Sequence, residues 1–386
     1  MPIDYLLDRL ISFFTSLRLT VVCLALGLVL VFWGTLAQVD LGLYKAQNEF
    51  FRSFIIYWGP KGASWKLPVF PGGYLIGGVL VLNLIASQLK RFTFTASKTG
   101  LWMVHVGLIL LLLGQLLTDL LSRESTLHLR NGEAKNYSET EREAELAVID
   151  TTDPDADKVI AIPQGILASQ KSIRPGDLPF TIQVKDFFAN SQVSERAANA
   201  AAPPAATQGI GPRATVRELS RVTQMDIRDV PSAVVEIVTP EGSLGTWLVS
   251  EFVEQPQDFT VNQRTYQLEL RPRRHYKPYS IQLLKFQHDV YAGTDIPKNF
   301  SSRVLLQRPQ TGEKREVLIY MNSPLRYAGE TYYQSGFDPD NQGTILQVVH
   351  NPSWLTPYLS CVLVGVGLVV QFATHLVGFT RKQRTP

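Results

Sequence analysis

Residues 100–121 read GLWMVHVGLILLLLGQLLTDLL, and this stretch decides the fold class. About 20 apolar residues at a rise of ~1.5 Å each match a bilayer core of ~30 Å, so the stretch predicts a transmembrane helix. It also contains an ionisable residue, His105. Such a group inside a span normally faces protein, water or a bound group, which makes His105 a candidate ligand to a metal centre. The alternative is a neutral imidazole hydrogen-bonded to a neighbouring helix, and this stretch alone does not decide between the two.

The composition predicts a membrane part joined to a sizeable aqueous domain. The chain has 386 residues, of which 45% are hydrophobic and 18% are charged. This is too apolar for a soluble protein and too polar for a wholly embedded one. Four windows are long and apolar enough to span a bilayer, at residues 19–37, 70–89, 100–121 and 355–379.

Residues 1–18, which precede the first span, have the pattern of an amphipathic helix. Five apolar residues share one helical face, namely Leu6, Leu7, Leu10, Phe13 and Phe14. This pattern is typical of a helix that lies in the membrane interface. The apolar run that follows is longer than that of a cleaved signal peptide and no small-x-small site comes after it, so we expect it to stay attached.

Basic residues close to the spans predict the orientation. They are dense in the loop between the second and third spans and in the tail at 380–386, as Lys90, Arg91, Lys98, Arg381, Lys382 and Arg384. By the positive-inside rule both regions are cytoplasmic, so both termini lie inside and residues 122–353 lie outside. These anchors largely explain the net charge of +3, which gives no argument for nucleic-acid binding.

The two cysteines exclude two classes of protein. Cys23 and Cys361 lie near opposite ends of their spans, with an expected axial separation of ~15 Å that is far beyond disulfide reach. The sequence has no C-x-x-C and no C-x-x-C-H motif. The chain is therefore neither a thiol oxidoreductase of the usual kind nor itself a c-type cytochrome.

Residues 122–353 have the pattern of a β-rich, sandwich-like domain. Short alternating runs such as FTIQVKDFF, SAVVEIVTPEG and GTILQVVH are separated by turn residues. Residues 190–213 are rich in Ala, Pro and Gly and have no apolar stripe, so we expect a mobile loop there. The predicted fold class is thus a multi-pass membrane protein with four transmembrane helices and a large extracytoplasmic β-rich domain.

No catalytic motif stands out in this domain, which lacks G-x-S-x-G, H-E-x-x-H, a phosphate loop and G-x-G-x-x-G. The carboxylates Asp150, Asp153 and Asp155 flank Pro154, which favours a turn over a metal site. The basic run RPRRHYKP at 271–278 is a candidate receptor for an anionic group, but we favour a solvated strand edge or loop.

Two blocks in the second half of the domain carry a family resemblance. Residues 286–302 follow the pattern F-x-x-D-x-Y-x-G-x-x-x-P-x-x-F-x-S, and residues 322–334 follow N-x-P-L-x-Y-x-G-x-x-Y-Y-Q. With these blocks the chain closely resembles the ResB family of cytochrome c biogenesis proteins, the membrane component of the system II haem-ligation machinery. The resemblance extends to the topology, the opening SLRLTVVCLALGLVLVFWGTLAQ and the third-span histidine, and it excludes residues 190–213.

The resemblance implies a function. His105 would be an axial ligand to haem b that is conveyed across a bacterial cytoplasmic (inner) membrane for attachment to apocytochrome c. His375, the other intramembrane histidine, is expected at the same level and is a weaker candidate, since snorkelling to the interface explains it and the family's second ligand looks to belong to the partner. The implied partners are a CcsA/ResC-type membrane protein with a tryptophan-rich haem-handling segment, a thioredoxin-like thiol reductant and membrane lipid. The six tryptophans of this chain are scattered, so it would be half of the machine and would have no catalytic residue of its own.

Other residues of the domain are expected to be structural. The four remaining histidines have no ligand spacing, namely His128, His275, His288 and His350. We expect Gly293 and Gly329 at turns with positive φ. The tyrosines of the blocks are expected in a core or a partner surface, at Tyr291, Tyr327, Tyr332 and Tyr333.

Two other functions remain open at this stage. A membrane-anchored scaffold without a cofactor would dock envelope proteins through the β domain and would tolerate loss of His105. A transporter is less well supported, because four spans with no internal repeat give little from which to build a gated path.

Overall fold

The computed structural model describes residues 3–60, 65–90, 95–154, 156–197, 203–224, 227–253, 255–293 and 297–384. Arg91 and Asp155 lie outside the described residues, as do residues 198–202 of the predicted mobile loop and the side chains of Arg381, Lys382 and Arg384. The chain divides into a membrane unit, formed by residues 1–123, 223–225 and 351–386, and a β unit formed by residues 124–222 and 226–350.

The membrane unit contains four helices that are long and apolar enough to cross a bilayer, as predicted. These are α2 (Leu17–Leu41), α4 (Gly73–Lys90), α5 (Thr99–Leu121) and α7 (Thr356–Arg384). A short helix, α1 (Ile3–Phe14), precedes α2, and its residues Leu7, Leu10, Ile11 and Phe13 are exposed. This exposure suits a helix that lies in the membrane interface.

The connection between α2 and α4 has structure of its own. It begins with α3 (Leu43–Ala46) and a π-helical turn, Gln47–Phe51, and continues with β1 (Ile55–Trp58) and β2 (Leu67–Pro71), which pair as an antiparallel hairpin. The second span therefore begins at Gly73 instead of residue 70. Gly72 and Gly73 lie directly against the carbonyl oxygens of Ser53 and Phe51, so that a Cβ at either position would come within 2.4 Å of an oxygen.

Helices α5 and α7 pack closely because three glycines recur at every seventh residue of α5. A Cβ on Gly100 would lie 2.5 Å from the backbone of α7, and one on Gly107 would lie 2.6 Å from Val364. Gly114 lies in the same way against Thr356. Small residues at a helix interface let two backbones approach within a bilayer, where packing rather than hydrophobic burial holds helices together.

Helices α2 and α4 are joined by a fully buried amide. Asn83 donates from Nδ2 to the carbonyl oxygens of Phe14 and Ser16, at 2.7 and 3.1 Å, and its Oδ1 accepts from the hydroxyl of Thr20 at 2.5 Å. These bonds satisfy backbone groups at the junction of α1 and α2. A polar residue inside a span thus has a structural explanation here.

The described residues of the β unit form strands with one short α-helix, α6 (Gln164–Ser169). Its first strands are β3 (Arg123–Arg130), β4 (Ala134–Asp150), β5 (Lys158–Pro163), β6 (Ser172–Ile173), β7 (Thr181–Phe188), β8 (Ser191–Glu195), β9 (Ala214–Glu218), β10 (Ser232–Thr239) and β11 (Gly242–Ser250). They are followed by β12 (Gln257–Val261), β13 (Arg264–Val290), β14 (Pro297–Arg308), β15 (Glu313–Tyr320), β16 (Leu325–Tyr327), β17 (Glu330–Phe337) and β18 (Gly343–His350). The predicted β-rich, sandwich-like class is confirmed.

A large sheet runs in the order β15-β14-β13-β4-β3-β18-β17-β16, with β12 beside β13 and β5 beside β4. A second sheet, in the order β11-β10-β7-β6, covers one part of it. The first half of β13, with Leu268 and Leu270, borders a core shared with the second sheet, whereas Ile281 and Leu283 in its second half belong to another core, with β14 to β18. One 27-residue strand therefore serves two hydrophobic cores in succession.

Both ends of the segment predicted as a mobile loop are ordered. Strands β8 and β9 pair antiparallel, and Ala206 and Ala214 are buried in a small core with Val234 and Leu248. The ladder uses backbone groups, which every residue supplies, and needs only a few small apolar side chains on one face. A segment without an apolar stripe can therefore still form a strand pair, and for this reason the sequence pattern did not predict β8 and β9.

Candidate functional site

His105 lies in the second turn of α5, where its ring is fixed by the backbone of its own helix. Its Nδ1 is 2.8 Å from the carbonyl oxygen of Leu101. A carbonyl oxygen can only accept, so Nδ1 carries a proton, and in the neutral imidazole Nε2 is then the nitrogen with the lone pair. A hydrogen bond from one ring nitrogen to a backbone carbonyl is the arrangement that orients histidine ligands and selects the nitrogen that binds metal.

The half-buried ring of His105 does not face α7. Each helical residue advances ~100° around the axis, so His105 lies roughly opposite the stripe formed by Gly100, Gly107 and Gly114. Its neighbours on the same face, Leu101 and Leu108, are exposed apolar residues. The membrane unit therefore presents His105 beside exposed apolar side chains, away from the stripe that contacts α7.

His375 belongs to the same end of the membrane unit but is bonded differently. Gln371 on α7 accepts from the backbone N–H of Leu101 at 3.0 Å, which fixes its amide oxygen toward α5. Its amide nitrogen then donates to Nε2 of His375 at 2.9 Å. Nε2 of His375 therefore accepts a hydrogen bond within the protein. The bond from His105 to Leu101 uses Nδ1 and leaves its Nε2 free of that contact.

Leu101 and Gln371 connect the surroundings of the two histidines. The carbonyl of Leu101 accepts from His105, its N–H donates to Gln371, and Gln371 donates to His375. The structure therefore brings both predicted site residues to one end of α5 and α7. Of the two, His105 has the nitrogen suited to a ligand role.

At the opposite end of the membrane unit, charged and polar groups are satisfied among themselves. Asp119, near the end of α5, lies 2.8 Å from Arg52 and accepts a hydrogen bond from the hydroxyl of Tyr74 at the start of α4. Thr118 bonds to Ser353 at 3.1 Å before α7 begins. This end is held by structural polar contacts that link three of the spans.

The four remaining histidines are in the β unit, and three of them have local partners. His128 lies 2.9 Å from Asp338, and Nε2 of His275 lies 2.8 Å from the hydroxyl of Thr140. Nδ1 of His288 lies 3.1 Å from Asn341, and its ring contacts Phe337. Among the described residues, no three or more His, Cys, Asp or Glu side chains are grouped so that they could hold a metal ion. An axial haem ligand is a single histidine and needs no such group.

The carboxylates of the TTDPDAD segment form a turn. Asp150 accepts from both the backbone N–H and the hydroxyl of Thr152, and it lies 3.4 Å from Arg264. The hydrogen bonds from Thr152 are the main reason that the pKa of Asp150 lies below its ordinary value. The turn interpretation accounts for this residue, while Asp155 lies outside the described residues.

The basic run of residues 271–278 is neither a solvated edge nor an open anion receptor. It lies in the middle of β13, where the strand passes from one core to the other, and β4 supplies the opposing carboxylates. Arg273 and Arg274 pair with Glu143 and Glu139 at 2.8 and 2.9 Å. The alternation of basic residues alone did not reveal that a strand rich in glutamate would lie beside it.

The same run contains a buried ion pair. Arg271 lies 3.2 Å from Glu145, and their side chains are only 4% and 6% exposed. Arg271 also lies 2.9 Å from Glu269. Its positive charge is therefore compensated inside the β unit and is not offered to a ligand.

The family blocks form a second buried polar network. Glu330 accepts from the phenols of Tyr279 and Tyr332 at 2.9 and 2.8 Å and pairs with Lys277 at 2.6 Å. Burial opposes the charged carboxylate, but the bonds from Lys277, Tyr332 and Tyr279 outweigh it and hold the pKa of Glu330 below its ordinary value. For the same buried phenols, loss of hydration raises the pKa of both Tyr279 and Tyr332. These groups act as fixed hydrogen-bond donors.

Several other residues of the blocks lie where the sequence predicted them. Gly293 and Gly329 have φ of 79° and 80°, which confirms the turns. Tyr332 is fully buried, and Tyr327 packs edge-on against Tyr279 with ring centres 4.8 Å apart. Tyr291 and Tyr333 are exposed. The blocks are therefore mainly a structural signature of the second core.

Comparison with known proteins agrees with this architecture. The model of the ResB-like family matches residues 242–345, which run from β11 to the start of β18 and include Tyr279, Glu330 and Tyr332. Over 299 residues, or 76% of the chain, the sequence is 25% identical to Protein NrfI of Wolinella succinogenes. The aligned part is 29% of the length of that relative.

The fold and these matches define a class of protein, one with four apolar helices and a large β unit. Within this class the chain is similar to the ResB-like family over residues 242–345. The family match lies within the β unit and does not include His105.

Proposed function

We propose that this chain is a cytochrome c biogenesis protein that binds haem through Nε2 of His105 and conveys it across a bacterial inner membrane for attachment to apocytochrome c. The family assignment supports the biosynthetic role. The observation that supports haem binding is the hydrogen bond from Nδ1 of His105 to Leu101, because it leaves Nε2 as a neutral, oriented donor of electrons.

The surroundings of His105 suit haem as cargo. The exposed side chains of Leu101 and Leu108 on the same face provide an apolar wall for a porphyrin. One face of the iron would be ligated by His105, and the exposed position leaves the other face to a second protein. We assign that second ligand to a CcsA/ResC-type partner in a system II complex, since Nε2 of His375 is already bonded to Gln371.

The reaction served by the complex is thioether formation between the vinyl groups of haem and the cysteines of C-x-x-C-H in apocytochrome c. The contribution of this chain is to hold the cargo in a fixed orientation and to keep water from it. The electrons and the reduced cysteines would come from elsewhere, such as a thioredoxin-like reductant, because no C-x-x-C is present here. In this proposal the basic ends of the spans are cytoplasmic and the β unit is periplasmic.

The test is the absorption spectrum of the full chain, co-purified with its partner in mild detergent. We expect a reducible haem band that His105→Ala abolishes or strongly weakens at equal protein yield, and that exogenous imidazole restores in part. His375→Ala is the matched control, since it removes an intramembrane histidine from the same end of the unit, and we expect it to keep most of the band.

Absence of haem from the wild type, or a full spectrum and normal cytochrome c maturation in His105→Ala, would contradict the proposal. Such a result would favour the second candidate function, a membrane-anchored scaffold that docks envelope proteins through its β unit.

A further inference from the structure

The hairpin of β1 and β2 exposes a set of large apolar side chains. Seven of them, on the strands and next to them, are between 38% and 65% exposed, namely Phe54, Ile55, Tyr57, Trp58, Trp65, Leu67 and Val69. These values resemble those of Leu28 and Phe32 on the outer face of α2, which are 73% and 66% exposed. Nothing in the function proposed above uses this hairpin.

The hairpin is anchored on two spans, α2 and α4. The ring of Phe70 on β2 packs against that of Trp33 on α2, with ring centres 5.9 Å apart. The ring of Phe54 packs against that of Tyr74 at the start of α4, with ring centres 5.7 Å apart. Backbone bonds from Gly72 to Phe54 and from Tyr74 to Ser53 fix its base. It therefore continues directly from the apolar surface of the helices, at the end of the unit opposite His105.

Both faces of the hairpin are uncovered near its tip. Successive residues of a strand point to opposite faces, so exposed Tyr57 and exposed Trp58 lie on different faces of the ribbon. Among the hairpin residues that the structure describes, Ile56, closer to the base, is buried against the helices, and Phe70 is partly buried there. A protein partner typically docks on one face or edge of such a ribbon, whereas a bilayer surrounds it.

The charges of the hairpin also favour a position in the membrane interface. Residues 53–72 contain Lys61 and Lys66 and no Asp or Glu, and Lys66 is exposed. Tryptophan and tyrosine are enriched at the boundary between acyl chains and head groups, and lysine is attracted to anionic lipid. A two-stranded hairpin is also marginal in water on its own, so contact with the interface would stabilise it.

We propose that the β1–β2 hairpin is an interfacial anchor, inserted among the lipid head groups of the leaflet opposite the His105 end, with Tyr57, Trp58 and Trp65 at the boundary of the acyl chains. Since α1 lies at the other end of α2, the membrane unit would be held in both leaflets. The lipid chemistry that fits is an anionic phospholipid such as phosphatidylglycerol.

The experiment places a nitroxide at Trp58→Cys in the full chain with Cys23→Ala and Cys361→Ala, reconstituted in phosphatidylcholine–phosphatidylglycerol nanodiscs. Collision with oxygen, which concentrates in lipid, is compared with collision with a water-soluble nickel chelate. Phe32→Cys on the outer face of α2 is the lipid reference, and Lys314→Cys on an exposed strand of the β unit is the aqueous reference. Tyr57→Cys repeats the measurement on the other face of the ribbon.

We expect the oxygen-to-nickel ratio at both hairpin positions to be several times that at position 314 and to approach that at position 32. A ratio like that at position 314 would overturn the proposal. Low access to both reagents would also overturn it, because it would show that protein covers the hairpin. In Lys66→Glu we expect the ratio at position 58 to fall in anionic nanodiscs, and equal ratios before and after this change would refute the contribution of anionic lipid.

Discussion

The side-chain oxygen of Gln371 accepts a hydrogen bond from the backbone N–H of Leu101 over 3.0 Å and thereby joins α7 to the first turn of α5. The first N–H groups of a helix have no partner within the helix, and an apolar environment offers no water to replace one. Gln371 thus caps the helix that carries His105, from a neighbouring span 270 residues away in the sequence.

We expect Gln371→Leu to destabilise the full chain by about 1 kcal/mol, the typical size of a hydrogen bond between helices in a membrane. Gln371→Glu keeps the accepting oxygen and should lose less stability than Gln371→Leu. The measurement is the midpoint of thermal unfolding in mild detergent. Equal midpoints for the wild type and Gln371→Leu would show that this bond does not hold the two helices together.

The glycine stripe of α5 gives a second prediction. Gly100→Ala would place a methyl group 2.5 Å from the backbone of α7, and because backbone cannot move aside like a flexible side chain, we expect a loss of about 1–3 kcal/mol. Gly365→Ala on α7 is the control, since a Cβ there has no neighbour within 4 Å. Thermal unfolding of the two variants in the same detergent compares them directly. Similar midpoints would contradict close packing of α5 on α7.

The buried ion pair of Arg271 and Glu145 gives a third prediction. Arg271→Met would leave Glu145 and Glu269 without their shared cation in the interior, which typically costs about 3–5 kcal/mol. Arg273→Met removes an exposed partner of Glu143 and should cost less than about 1 kcal/mol. Chemical denaturation followed by tryptophan fluorescence measures both, because Trp247 is buried in the β unit. A small effect of Arg271→Met would show that water reaches the pair.

Glu251 predicts a pH dependence. Its side chain is 3% exposed, and burial raises the pKa of this carboxyl to about 7, although Arg228 at 3.3 Å opposes the rise and Glu139 adds to it. The unfolded chain loses this proton near its ordinary pKa of about 4.3. The stabilisation by protonated Glu251 is therefore complete below that value and is lost as the pH rises through about 7.

Glu251→Gln should flatten the stability of the full chain between about pH 5 and pH 8, relative to the wild type, because the neutral amide does not titrate. The measurement is the thermal midpoint at several pH values in this range. An unchanged slope in Glu251→Gln would assign the dependence to other groups.

Much of the candidate site was accessible to prediction from local sequence. His105 is recognisable because a histidine within about 20 apolar residues is costly unless it has a role or a partner. Its hydrogen bond to Leu101 is also local, four residues back along the same helix. The three glycines at intervals of seven were a further signal that the sequence interpretation did not use.

Other parts of the arrangement depend on residues far apart in the chain. Gln371 gave no signal of its own, because an amide within a span can bond to any neighbouring helix. The basic run of residues 271–278 was interpreted without its partners, since Glu139, Glu143 and Glu145 lie on a strand that precedes it by more than a hundred residues. Strand pairing decides which charges meet, and pairing is a long-range property.

The sequence by itself determined the four spans, the β-rich class of the remainder and the place of His105 near one end of a span. It could do so because hydropathy over about 20 residues and a period of two along a strand are local properties. Only the tertiary structure decided how Gln371 links Leu101 to His375, and that a single strand serves two cores with its charges neutralised between them. Those features arise from contacts between distant segments, whose geometry is fixed only when helices pack and strands choose their register.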